Sequence, residues 1–195
     1  MSLSPYDKDF QYVECEEEDY SGRDYSSSVF DSCVFRSCSF RSTSFKGSSF
    51  DKVEFLDSDL SNADFSECSF LNCTIRGGKL SGALFLKSRF KNSDMEGVTG
   101  QYVSFDEAVA NGLSISSSRL LESSFSDVHH KGFSLEDCTL DGTSFKGTSL
   151  KGMKLKGSDL SGIYLSSDCH ELKGARLDAG QALDAARLFG VEIIG

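Results

Sequence analysis

Seven cysteines and three histidines are the residues of this 195-residue chain best suited to metal or nucleophile chemistry, and their spacing argues against both. Cys33–Cys38 and Cys68–Cys73 stand five positions apart, whereas paired zinc ligands want spacers of about two to four residues. His129, His130 and His170 have no ligand spacing beside them. No glycine-rich phosphate loop lies between a strand and a helix, and the many serines recur too regularly to mark a nucleophile. A catalytic centre needs a convergent acid, base or nucleophile in a concavity, and the sequence assembles none. It therefore predicts no enzyme, no metal and no cofactor. Carboxylates are the chemistry that remains: Asp and Glu number 30 against 20 Lys and Arg, a net charge of −10. An acidic surface disfavours nucleic acid as a direct ligand, because phosphate binding needs basic groups. It suits solubility, or a partner that carries a basic groove.

What must position these residues is a period of five. Fourteen of the 16 phenylalanines fall at residue numbers divisible by five. From Phe10 to Leu165 that series has 32 members, of which 28 are Phe, Leu, Ile, Met or Tyr; the exceptions are Cys15, Gly100, Ala110 and His130. Neither the helical period of about 3.6 nor the strand period of about 2 produces this pattern. Two residues before most members sits a small or modest side chain, such as Ser28, Cys33, Thr43, Val53, Ala63 or Cys73. The unit is small–polar–large–polar–polar, and repetition of that kind predicts an all-β solenoid.

Cys33, Cys38, Cys68, Cys73 and Cys138 occupy the small inward slot, where free cysteine acts as a small hydrophobe. An odd count of inward thiols predicts a reducing compartment. Met1 to Phe10 has no basic or apolar leader pattern, and no apolar run is long enough to span a bilayer. The expected location is the cytoplasm, with no membrane partner. Pro5, the single proline, lies outside the repeats, as continuous backbone pairing requires.

A five-residue repeat closes most simply as a four-sided coil, one pentapeptide per side, and in this the chain resembles the pentapeptide-repeat fold. That closure implies about eight coils between residues 10 and 167 and a rod of about 38 Å at the strand spacing of roughly 4.8 Å. Large side chains twenty residues apart then stack in ladders such as Phe30–Phe50–Phe70–Phe90, and glycines at the last slot, Gly142 to Gly162, suit the corners. The four-sided arrangement also sorts the charges. The face of Phe35, Phe55, Ile75 and Met95 holds nine acids: Glu14, Glu16, Glu17, Glu54, Asp57, Asp94, Glu96, Glu136 and Asp137. Four bases share it, Arg36, Arg76, Lys154 and Lys156, for a net charge of −5. The face of Phe10 and Phe30 has three acids against six bases: Lys8, Lys52, Arg89, Lys91, Lys131 and Lys151.

The repeat falters in one internal place. Gly100 and Ala110 occupy large slots, Leu113 a small one, and Asp106 to Gly112 reads like a turn of helix or a loop. Two readings stand there: an excursion over 98–114 that touches a partner, or a packing adjustment in which His130 fills space left by Ala110 or marks a kink. Phe133 is oversized for its small slot. Lys8, Glu18 and Arg23 at small slots predict a loose first coil that caps the rod by adding a strand. Beyond Leu165 the phase slips, and Leu172 and Leu177 carry an imperfect last coil. A helix follows, with Asp178 as N-cap, Gln181 at the capping-box position, Ala182, Leu183, Ala186 and Phe189 at helical spacing, and Gly190 as C-cap. Val191 to Ile194 reads as a short strand. So short an apolar helix leaves surface for a symmetric partner.

The ending, from Leu172-Lys173-Gly174-Ala175-Arg176-Leu177-Asp178 through Gln181-Ala182 to Leu188-Phe189-Gly190-Val191-Glu192-Ile193-Ile194, completes a wider resemblance. The chain is similar to the topoisomerase-protecting pentapeptide-repeat proteins of the Qnr, MfpA and albicidin- or microcin-immunity type. That resemblance implies a right-handed quadrilateral pentapeptide-repeat β-helix over residues 1–177 and a dimerisation cap over 178–195. It implies a homodimer joined through Leu183, Ala186, Phe189, Val191, Ile193 and Ile194. It also implies a rod that imitates duplex DNA through the nine acids and binds DNA gyrase or topoisomerase IV, protecting the enzyme from poisons or modulating it. Qnr proteins carry two loops that break the repeat; here 98–114 is the single candidate. The alternative is a pentapeptide-repeat scaffold for another regulatory protein.

Overall fold

In the computed structural model, which describes residues 3–192, the repeats form a parallel β-solenoid. In chain order its strands are β1 (Asp9–Gln11), β2 (Glu14–Glu16), β3 (Val29–Asp31), β4 (Val34–Arg36), β5 (Ser49–Asp51), β6 (Glu54–Leu56) and β7 (Ser69–Leu71). There follow β8 (Thr74–Arg76), β9 (Arg89–Glu96), β10 (Thr99–Gln101), β11 (Val109–Ser116), β12 (Arg119–Leu121), β13 (His129–Lys131) and β14 (Ser134–Glu136). A 3-10 turn, His170–Leu172, and a helix, α1 (Ala179–Leu188), follow among the described residues. Every pairing is parallel and shifted by twenty residues, so Phe10 lies beside Phe30, Phe30 beside Phe50, and Ile75 beside Met95. Two sides carry continuous ladders, β1-β3-β5-β7-β9-β11-β13 and β2-β4-β6-β8-β9-β11-β14. The strand-paired part is about six turns, shorter than the eight coils expected. Single bridges carry the same register on to Ser144–Tyr164.

Every fifth residue from Tyr12 to Gly162 turns the corner with φ between +46° and +78°. That left-handed conformation costs an L-residue about 1–2 kcal/mol, so only a gain repeated at each coil sustains it. The gain is the interior. Tyr25, Phe45, Phe65, Phe85, Phe105, Phe125 and Phe145 stack with centroids 5.7, 4.9, 5.1, 4.8, 4.6 and 5.3 Å apart. Phe30, Phe50, Phe70 and Phe90 form a second column at 5.0, 4.9 and 4.9 Å. Each buried ring contributes about 1.5–3 kcal/mol.

The small slot has a polar task that its size alone does not reveal. Thr148 Oγ1 donates to the Phe125 carbonyl at 2.5 Å and accepts from the Val128 N–H at 2.7 Å. Ser88 does the same for Phe65 O and the Cys68 N–H, at 2.6 and 3.2 Å. Thiols stand in for hydroxyls: Cys68 Sγ donates to Phe45 O at 3.0 Å. Corner backbone groups that miss the strand ladder are satisfied in this way, which a buried coil requires.

The segment 98–114 is regular coil rather than helix or loop. β10 pairs with β12, and β11 pairs on both sides, with β9 before it and with β13 and β14 after it. Three volume exchanges explain this. Gly100 is followed three residues on by Val103, Ala110 by Leu113, and His130 by Phe133; Val103, Leu113 and Phe133 are each 1% exposed. A Cβ on Gly100 would lie 2.6 Å from Val103 Cγ2 and 3.2 Å from Leu80 Cβ, so Val103 already holds that space. His130 does not fill the room under Ala110: it is half-buried, with Nε2 2.5 Å from the Ser149 carbonyl, and Phe133 takes the interior volume against Phe125.

Both ends are plugged by side chains. The first coil is in register rather than loose, and no described strand precedes β1. Buried Leu3 closes that end: its N–H donates to Tyr20 Oη at 3.2 Å, and its carbonyl accepts from Tyr25 Oη at 3.4 Å and Arg23 Nη1 at 3.3 Å. At the other end Glu171 is fully buried. Its Oε1 accepts from the Gly147 N–H at 2.9 Å, the Ser166 N–H at 3.1 Å and the Ser166 hydroxyl at 2.6 Å. Burial pushes this carboxyl up, but the hydrogen bonds from Ser166 and Gly147 outweigh it and hold it below its ordinary value.

Gly100→Ala is expected to cost about 1–3 kcal/mol by overpacking, and Val103→Ala in the same chain to recover most of that loss, read by chemical unfolding. Additive losses in the double variant would refute the exchange of volume. Because the folded Glu171 carboxyl is depressed, its contribution is present above the ordinary glutamate value and lost as pH falls through the lower folded value. Glu171→Gln should therefore flatten the acid limb of the thermal midpoint against pH; parallel acid limbs would exclude this latch.

Candidate interaction face

The side built from β2, β4, β6, β8, the second half of β9 and of β11, and β14 carries all nine carboxylates. One column in register reads Glu14, Val34, Glu54, Thr74, Asp94, Ser114, Ser134. The other flank of the same strands reads Glu16, Arg36, Leu56, Arg76, Glu96, Ser116, Glu136. Glu17, Asp57 and Asp137 sit at the adjoining corner with φ of 55°, 51° and 53°. Seven of the nine are exposed; Asp94 and Glu136 are half-buried.

Register adds an alternation. Acids cluster on every second coil, and the coils between carry Arg36, Arg76 or neutral side chains. Clusters therefore repeat at about 9.6 Å, twice the strand spacing. Like charges on adjacent rungs would repel, so alternation keeps the face foldable. Arg76 Nε meets Glu96 Oε2 at 2.9 Å, and Thr74 Oγ1 donates to Asp94 Oδ1 at 3.1 Å. Both partners of that ion pair are exposed, so it adds little stability. The corners explain two glycines: the Asp57 and Asp137 carboxylates lie over the bare α-carbons of Gly77 and Gly157, where a Cβ would overlap them. The face changes sign at its far end, where Lys154 and Lys156 stand exposed.

The thiols form no centre. Cys33, Cys38, Cys68, Cys73 and Cys138 are free and buried, Cys15 is buried and accepts from the Tyr20 hydroxyl at 3.0 Å, and burial pushes Cys68 up to about 12 and Cys73 up to about 11. Thiols held protonated in this way are poor nucleophiles and poor ligands. Among the described residues no group of His, Cys, Asp and Glu is arranged to hold a metal, and no helix is long and apolar enough to cross a membrane.

The C-terminal helix begins as read from sequence. Asp178 Oδ1 accepts from the Gln181 N–H at 3.0 Å, and Gln181 Oε1 accepts from the Asp178 N–H at 3.1 Å. It ends with the Gly190 N–H on Arg187 O at 2.9 Å and the Val191 N–H on Ala186 O at 3.3 Å, around a Gly190 φ of 73°. Gln181 is buried rather than merely a cap, and its amide donates to Leu155 O at 2.6 Å and Ser158 O at 2.8 Å, docking the helix on the last coil. Leu188 packs against the core beside it, and Asp184 and Ala185 are half-buried. Leu183, Phe189 and Val191 stay 47%, 60% and 52% exposed, and Ala186 is half-buried. Val191 and Glu192 adopt no strand, and Ile193 and Ile194 lie outside the described residues. Spacing alone pointed to neither the Glu171 anchor nor the inward Gln181 amide, because both depend on where the last coil stops.

A family model of pentapeptide repeats matches residues 28–67 and 123–162 in eight copies. No curated protein matches the sequence. Among solved structures the chain is similar to a trypsin-treated variant of QnrB1, a plasmid-mediated fluoroquinolone resistance protein, at 20% identity, 96% and 92% coverage of the two chains and a TM-score of 0.46. It is also similar to HetL, a pentapeptide repeat protein involved in heterocyst differentiation regulation from the cyanobacterium Nostoc sp. strain PCC 7120, at 16% identity, 90% and 93% coverage and a TM-score of 0.47. Eight matched repeats, and one twenty-residue register running through and between them, show pentapeptide repeats wound into a parallel β-solenoid.

Proposed function

We propose that the protein is a DNA-mimicking ligand of DNA gyrase or topoisomerase IV, which it protects from poisons or modulates. The observation that carries this reading is the alignment of nine carboxylates along one side of the solenoid and its adjoining corner. A groove evolved to neutralise phosphates is lined with Lys and Arg, and a rigid column of carboxylates offers it the same charge. Complementary fields raise the association rate and make it steeply salt-dependent. The terminal sequence, similar to the tail of the topoisomerase-protecting group, supports the choice of enzyme. In this reading the protein acts in the cytoplasm as a homodimer, with Leu183, Ala186, Phe189 and Val191 in the contact and Ile193 and Ile194 continuing it. Two rods end to end then reach roughly 80 Å, caps included.

A pentapeptide-repeat scaffold for another regulatory protein is the second reading, favoured by the reversal of charge at Lys154 and Lys156. Charge reversal separates the two. Glu54→Lys, Asp57→Lys, Asp94→Lys and Glu96→Lys together should weaken gyrase binding at least about tenfold and abolish any effect on supercoiling, with and without a panel of poisons. An unaltered supercoiling assay with the native protein and every poison would reject the mimic. Phe189→Asp with Leu183→Asp is expected to shift sedimentation from dimer to monomer while leaving the β-sheet spectrum intact; a dimer that survives both would remove the helix from the contact.

A further inference from the structure

Where the coil stops, the ladder of the acidic face ends in an open rung at residues 154–156. One coil earlier the Leu135 N–H donates to the Lys154 carbonyl at 2.8 Å; the Leu155 N–H has no carbonyl partner among the described residues. The chain that would lie above it, Arg176 to Asp178, borders instead a cleft of about 490 Å³. Small-molecule pockets run to about 300–1,000 Å³. Met153, Leu155 and Leu177 supply its apolar lining, and Lys154, Lys156 and Arg176 stand exposed around it. None of these three cations is in an ion pair among the described residues. Two carboxylates also border the cleft. They are Glu136 and the helix N-cap Asp178, so three cations face two carboxylates and the rim keeps a net positive charge. Gln181, pinned to Leu155 O and Ser158 O, makes a fixed wall.

The geometry points to a binding site for a small amphipathic anion, an aromatic or branched carboxylate or sulfonate. Its charged group sits among Lys154, Lys156 and Arg176, within reach of a backbone donor that the fold leaves unused. Its apolar body lies on Met153, Leu155 and Leu177. Cations beside apolar surface favour such a ligand over inorganic anions, which gain nothing from the lining. The site stands apart from the proposed self-association: Leu183, Phe189 and Val191 line none of it.

Anilinonaphthalene sulfonate serves as the probe, titrated by fluorescence into the full chain and displaced by 2-naphthoate. Saturable binding at one site per chain is expected. Lys154→Glu with Lys156→Glu and Arg176→Glu should weaken it at least about tenfold with an unchanged unfolding midpoint, while Lys52→Glu on another face leaves it intact. Equal affinity in the triple variant, or displacement by inorganic phosphate as readily as by naphthoate, overturns the site. Removing residues 191–195 should leave the affinity unchanged. A rise on that truncation means the chain's own tail occupies the cleft, and a fall in affinity as protein concentration rises means a second copy does; either overturns the proposal.

Discussion

Parallel pairing at a constant shift of twenty residues is the constraint on which the rest of the molecule depends. It sets Phe30 on Phe50 and Ile75 on Met95, and by the same operation sets Glu14 in line with Glu54. Interior and surface are thereby one pattern read from two sides. A slip of one residue would take every ring out of its column and bring polar flanking residues into the interior, so the interior columns enforce the surface columns. Left-handed corners are the recurring cost, and aromatic stacking with slot hydrogen bonds offsets it at each coil.

The surface columns inherit a rhythm from the same shift. Carboxylates directly above one another at every rung would press apart the backbone pairs that hold them. Setting Arg36 between Glu16 and Leu56, and Arg76 between Leu56 and Glu96, relaxes that strain while keeping the side negative. The field along the rod is modulated rather than uniform, with a period of two coils and a reversal at Lys154.

Most of the fold was legible in the period of five, because a repeat reports its own geometry at every copy. The columns, the corners and the inward cysteines all follow from phase, and the capping box of Asp178 and Gln181 follows from its own local motif. The segment around Gly100 and Ala110 was misread because each slot was judged by its own side chain. Packing is satisfied by volume, and Val103 and Leu113 supply it from neighbouring slots. The first coil was misjudged for a similar reason: Arg23 suits its slot only because Leu3 returns to meet it, a contact across twenty residues that no local pattern contains. Of the candidate face, membership was readable from residue number. Its alternation became visible once the rungs were laid side by side, and the cationic cleft depends on a chain path that departs from the period.

The paired exchanges at Gly100 and Val103, Ala110 and Leu113, and His130 and Phe133 bear on how such chains diverge. What the interior conserves is the filling of a whole turn, so a deletion of bulk at one position licenses an addition three residues along. Substitutions in this lineage should then travel as couples, and a profile that scores each column by itself will see decay where the packing is sound. The family model skips residues 68–122, which hold two of the three couples, although the coil runs through them without a break.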